Sequence, residues 1–183
     1  MKREKKYRGD LKFFNETIHI HRYLKSIIYG GLDGIITTFA VVAGVAGASL
    51  TSGIILILGF ANLFADGFSM AVSDYLSTKA LREYEGDSMR SNIPLKSAFY
   101  TFISFCFFGL IPLLAFILSY FTKIQNPLIF SVVFTLISLF LLGVFKSRIT
   151  GKHPLMSALE TLVIGGLAAG MAYSVGYFVA SLI

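Results

Sequence analysis

An all-α integral membrane protein with five transmembrane helices is predicted by three features of the sequence: its apolar composition, its five long apolar segments, and the one-sided placement of its basic residues. Of 183 residues, 55% are hydrophobic and only 14% are charged, and the mean hydropathy is +0.73. A soluble domain of this size cannot hide so much apolar surface in one core, whereas a bilayer accommodates it.

A span needs about 20 mainly apolar residues. Five segments meet this: Leu24–Leu50, Gly53–Leu76, Ile93–Tyr120, Pro127–Phe145 and Leu155–Ile183. The first two are joined by a tight turn at Thr51-Ser52, and the third and fourth by Thr122–Asn126. The longest connector, Ser77–Asn92 (STKALREYEGDSMRSN), has few helix breakers before Gly86, so the second helix is predicted to run about two turns past the membrane. Residues 1–22 form a basic segment ahead of the membrane domain, 23–183. With Phe and Ile among its charges, this segment reads either as an interfacial amphipathic helix or as a loosely ordered tail. It has no apolar core followed by a cleavage site, so no cleavable signal peptide is expected.

Fifteen of the 16 Lys/Arg lie before the first span or in the connectors after the second and fourth, and only Lys123 lies on the other side. The positive-inside rule places the N-terminus in the cytosol and the C-terminus outside it. The pI of about 9.5 follows from this topology, so the charge does not call for a nucleic-acid partner. Cys106 is alone and can form no internal disulfide.

Ionisable groups inside a span are costly and usually face a partner or an ion path. Asp33, Asp66 and Glu160 lie within spans, and Asp74 lies at the inner end of the second. At 1.5 Å per residue, Asp33 lies roughly 13 Å and Asp66 roughly 10 Å from the inner boundary of a core of about 30 Å. Two carboxylates at similar depth on adjacent antiparallel helices suit one cation. Asn62, Asp66, Ser69, Met70, Ser73 and Ser77 share one face of the second helix. Asp33, Thr37, Ala40, Gly44 and Gly47 share one face of the first, small enough for close helix approach.

Carboxylate, amide oxygen and thioether together (Asp33, Asp66, Asn62, Met70) suit a borderline metal such as Fe²⁺ or Mn²⁺ better than Mg²⁺ or Ca²⁺. Thr37, Ser69, Ser73, Asp74 and Glu160 are candidates for lining the path or carrying protons. Glu83 and Glu85 are candidates for gathering cations at its cytosolic mouth. Plainer readings stand beside these. Met70 fills space in many apolar helices, and the acids, flanked by glycines, can serve structure alone. Glu160 reads equally as a proton carrier or an interfacial anchor, and Glu83 and Glu85 as solvated charges.

His19, His21 and His153 lack ligand spacing on a helix and read as solvated or interfacial side chains. Enzymatic signatures are absent, and no enzyme activity or permanently bound cofactor is expected. An intramembrane aspartyl protease uses Tyr-Asp and Gly-x-Gly-Asp motifs, whereas Leu32 precedes Asp33 and Ala65 precedes Asp66.

The segments YGGLDGIITTFAVVAGVAG (Tyr29–Gly47) and LGFANLFADGFSMAVSDYLSTK (Leu58–Lys79) resemble the vacuolar iron transporter family, which includes plant nodulin-like members and yeast vacuolar iron and manganese carriers. GGLAAGMAYSVGY (Gly165–Tyr177) is similar to that family's closing helix. The resemblance implies a five-helix protomer with a cytosolic N-terminus, a homodimer with the ion path at its two-fold interface, and proton-driven movement of Fe²⁺ or Mn²⁺ out of the cytosol. By motif, Asp33 and Met70 match the family's pore ligands, while Asn62 stands where some members place a carboxylate. Many members insert a cytosolic metal-binding helical domain between the second and third spans. The connector here is too short for one, which resembles the shorter, nodulin-like branch.

The function expected is thus a proton-coupled Fe²⁺/Mn²⁺ antiporter in a multi-pass membrane location: plasma membrane in a prokaryote, vacuolar or another endomembrane in a eukaryote. Its partners would be metal ions, protons, membrane lipid and a second copy of the chain. A non-transporting scaffold with structural acids and a divalent-cation channel are the alternatives.

Overall fold

The computed structural model describes residues 2–84, 92–122 and 125–183, with side chains from Tyr23 onward. Six helices follow in order: α1 (Lys2–Gly47), α2 (Ser52–Tyr84), α3 (Ile93–Gly109), α4 (Ile111–Thr122), α5 (Pro127–Thr150) and α6 (Pro154–Leu182). No strand occurs among the described residues. The protein is an all-helical, multi-pass membrane protein.

Tyr23–Gly47, α2, α5 and α6 are each long and apolar enough to cross a membrane alone; α3 and α4 qualify together, bent by 45°. The third span, expected as one helix over Ile93–Tyr120, is therefore broken. Pro112 supplies the cause. It has no N–H for the carbonyl of Phe108, and its ring crowds that carbonyl. The backbone turns at Leu110, whose N–H still reaches Cys106 O at 3.1 Å while Leu113 N–H closes a tighter turn onto Leu110 O at 3.0 Å.

The other elements follow their local chemistry. α1 stops at Gly47, short of the predicted Leu50, because Ser49 adopts φ 56° and the N–H of Leu50 reaches back to Val45 O at 3.1 Å. A left-handed residue with this wide backbone bond is the usual helix stop. α2 continues past Leu76 to Tyr84, as the lack of breakers predicted. α5 runs to Thr150, beyond the predicted Phe145, and ends on left-handed Gly151 (φ 67°). Pro94, Pro127 and Pro154 sit in the first turns of α3, α5 and α6, where a missing N–H costs nothing. The backbone of the basic segment, residues 2–22, is helical and continuous with the first span.

α1 is the central helix and packs most extensively on α3 and α6. Glycines permit this approach. A Cβ on Gly30 would sit 2.6 Å from the carbonyl oxygen of Thr101, and one on Gly44 would meet Ala172 O at 3.4 Å. Gly44 and Gly47, predicted to suit close approach, do so against α6. Toward the α1–α2 turn, Val42, Val45, Ile55, Leu113 and Phe116 form an apolar core. A second cluster, Ile35, Leu139 and Leu142, joins α1 to α5.

Candidate functional site

α1 and α2 place their carboxylates together. Asp33 and Asp66 are both half-buried, and Asp66 is close enough for its charge to act on Asp33. Two like charges inside a membrane protein are unfavourable unless a cation or a proton sits with them. Thr37 donates to the backbone oxygen of Asp33 at 2.8 Å, so its hydroxyl proton is spent within α1.

The α2 stripe is graded in exposure. Asn62, Asp66 and Met70 are half-buried, while Ser69, Ser73 and Ser77 are exposed. The amide nitrogen of Asn62 is buried without a protein partner. Met70, one turn beyond Asp66, lines a cavity of about 590 Å³ together with Tyr29, Ser73, Asp74 and Ser77. The stripe thus opens into a hollow of mixed polar and apolar lining near the α2 C-terminal half.

Asp74 is placed differently from the other acids. Its Oδ2 accepts hydrogen bonds from Ser97 (2.8 Å), Thr101 (2.8 Å) and Ser26 (3.1 Å), and its Oδ1 accepts one from Thr78 (3.4 Å). Three helices meet on this one carboxylate. The hydroxyl partners were missed in the sequence, although Ser97, Thr101 and Ser104 recur on one face of α3 and are all buried. That i, i+4, i+7 polar row inside an apolar helix is the signal that could have revealed them.

Glu160 is not brought to this site. It is 45% exposed and faces Lys146 at 3.4 Å and Lys152 at 3.8 Å, around the α5–α6 turn. Glu83 is exposed and pairs with Lys79 one turn earlier at 3.8 Å. Glu85 lies outside the described residues. Among the described residues, no group of three or more His, Cys, Asp or Glu side chains gathers to hold a metal. Asp33 and Asp66, with Asn62 and Met70 on the same face of α2 as Asp66, are the potential donors on these two helices.

Fold and site together define a polytopic helical membrane protein with a carboxylate pair between its first two helices. The model of the VIT family matches residues 24–92 and 86–177. The chain is 32% identical to the vacuolar iron transporter of Plasmodium berghei, over 90% of each chain. It is 33% identical to the vacuolar iron transporter of Plasmodium falciparum, over 81% of this chain and 78% of that one. It is 27% identical to vacuolar iron transporter 1 of Arabidopsis thaliana, over 82% of this chain and 83% of the relative. The chain belongs to the VIT family. The alignment with the Plasmodium berghei protein spans 247 positions, more than the 183 residues available here, so the relative carries residues without a counterpart in this chain. The two stretches matched by the family model meet at 86–92, in the connector predicted to be too short for an inserted domain.

Proposed function

We propose that the protein carries Fe²⁺, Mn²⁺ or both out of the cytosol in exchange for protons. The observation that carries this reading is that Asp33 and Asp66 lie near enough for their charges to interact, with Met70 one turn along α2 at the wall of a cavity. Paired carboxylates attract a divalent ion. A thioether and an amide oxygen favour a borderline transition metal over Mg²⁺ or Ca²⁺. The names of the relatives, vacuolar iron transporters, agree with this, and an endomembrane such as the vacuole is the corresponding location in a eukaryote.

A cargo ion must be held well enough to be selected and loosely enough to leave. Two carboxylates with neutral donors, in place of a closed cage, meet that need. Ser69, Ser73 and Ser77 of the α2 stripe are exposed and Asn62, Asp66 and Met70 half-buried, so a second copy facing the stripe across a two-fold axis would complete the path and double the donor set. With a connector this short, metal is captured at the membrane domain itself, with Glu83 near the end of α2 as a first attraction.

The test is uptake by proteoliposomes under an imposed pH gradient, with Fe²⁺, Mn²⁺, Co²⁺ and Zn²⁺ in competition. The parent protein accumulates Fe²⁺ or Mn²⁺ in response to the gradient. Asp33→Ala lowers uptake about tenfold or more, the equivalent of losing about 1.4 kcal/mol of ion binding. Undiminished uptake by Asp33→Ala would discard the site. Flux indifferent to the proton gradient would point to a channel, and absence of flux to a scaffold.

A further inference from the structure

We infer that Asp74, with the hydroxyls of Ser26, Ser97 and Thr101, is the proton-binding group of the exchange, separate from the carboxylates that meet the metal. The inference rests on the exchange reading above. Asp74 Oδ2 lies 3.1 Å from Ser26 Oγ, 2.8 Å from Ser97 Oγ and 2.8 Å from Thr101 Oγ1, and the two serine oxygens are 2.7 Å apart. These are four hydrogen-bonding contacts among four oxygens. With the carboxylate ionised, three hydroxyls supply only three protons, since each carries one. One contact stays unfilled.

A single added proton completes the set. Carried on Oδ2, it is donated to Ser26 Oγ; Ser26 then donates to Ser97 Oγ, and Ser97 and Thr101 donate to Oδ2. Every contact then has its proton, and the ring of Asp74, Ser26 and Ser97 closes. Release returns the proton to water and restores the ionised state, so no other reactant is needed. The group therefore has two states that differ by one proton, and in the protonated one all four contacts are filled.

Two adjoining cavities reach the carboxylate. Asp74 and Ser26 line both the 590 Å³ cavity that contains Met70 and Thr101, and a second cavity of 420 Å³ that contains Thr78, Leu81 and Ser97. Each has room for several waters. The carboxylate thus stands between a hollow reaching toward the metal residues and another reaching toward the end of α2. The titratable groups lining the two cavities beside Asp74 are Lys25, which lines both, and Tyr29, both from α1; α3 contributes only the hydroxyls of Ser97 and Thr101.

The test uses the full chain in proteoliposomes, reading Mn²⁺ uptake with and without a pH gradient beside the Mn²⁺-induced thermal shift in detergent. Asp74→Asn keeps the size and an acceptor oxygen but cannot titrate. It should retain the thermal shift while its uptake ceases to respond to the gradient. Ser97→Ala opens the ring of Asp74, Ser26 and Ser97, so its uptake should respond less to the gradient than the parent's while the thermal shift is retained. Should Asp74→Asn not fold, Ser97→Ala decides, and a parent-like response to the gradient overturns the inference. Parent-like coupling in Asp74→Asn removes the inference alone. A parent protein whose uptake ignores the gradient removes the exchange reading and the inference with it.

Discussion

The two ends of the α1 span are held by different means. Near its start, Ser26 meets Asp74 and Ser97, and the carbonyl of Ile27 accepts from Ser104 at 2.5 Å. Near its other end, Val42 and Val45 meet Ile55, Leu113 and Phe116, with no polar group in the cluster. In a bilayer, lipid tails are as apolar as these side chains, so the apolar end is held by shape alone. The polar end is held by directed bonds whose loss leaves unsatisfied groups. Directed polar contacts therefore hold the end of α1 near Asp74, and apolar packing holds the other.

This contrast can be broken most severely at the polar end. Gly30→Val would drive a side chain into the carbonyl of Thr101, 2.6 Å from the new Cβ, and push away the hydroxyl that Thr101 lends to Asp74. A loss of about 3 kcal/mol or more is expected, read as disappearance of the monodisperse peak on size-exclusion chromatography in detergent. Gly53→Ala, whose Cβ would meet only Thr51 Oγ1 at 3.9 Å, should leave that peak intact.

At the apolar end, Leu113 is fully buried and packs over Gly59. Leu113→Ala opens a cavity and should cost about 2–3 kcal/mol in thermal unfolding, while Mn²⁺ uptake per folded molecule stays at the parent level. A large loss of uptake would mean that the two ends are coupled. The smallest effect is expected at Glu160, outside both regions. Its ion pairs with Lys146 and Lys152 are exposed, so Glu160→Gln should change stability by less than about 1 kcal/mol. Its gradient-driven uptake should match the parent, whereas a drop would return Glu160 to the proton path.

Much of this was legible before the structure. Apolar length located the spans, and the missing breakers after Leu76 foretold the extension of α2 to Tyr84. Counting rise per residue put Asp33 and Asp66 at similar depth, and the charge of Asp66 does reach Asp33 between α1 and α2. The break at Leu110 was not read, although Pro112 was visible: proline in an apolar run is often absorbed without a large bend. The surroundings of Asp74 were also hidden. Its partners come from positions 48, 23 and 27 residues away, and no local pattern tells which faces of three helices will meet. Glu160 could be read as anchor or carrier, because its neighbours Lys146 and Lys152 come together only through the turn at Gly151.

The bend between α3 and α4 bears on how the protein fits its lipid. With 17 and 12 residues, the two limbs would reach about 44 Å if laid end to end at 1.5 Å per residue. The hydrocarbon slab measures about 30 Å. A straight rod of that length would have to tilt steeply or thicken the lipid around it. Folding at Leu110 shortens the distance from one end to the other without removing a single apolar residue. At a bend of 45° the end-to-end distance is still about 40 Å, so the angle relieves part of the mismatch inside the protein, and tilt of the whole crossing takes up the rest.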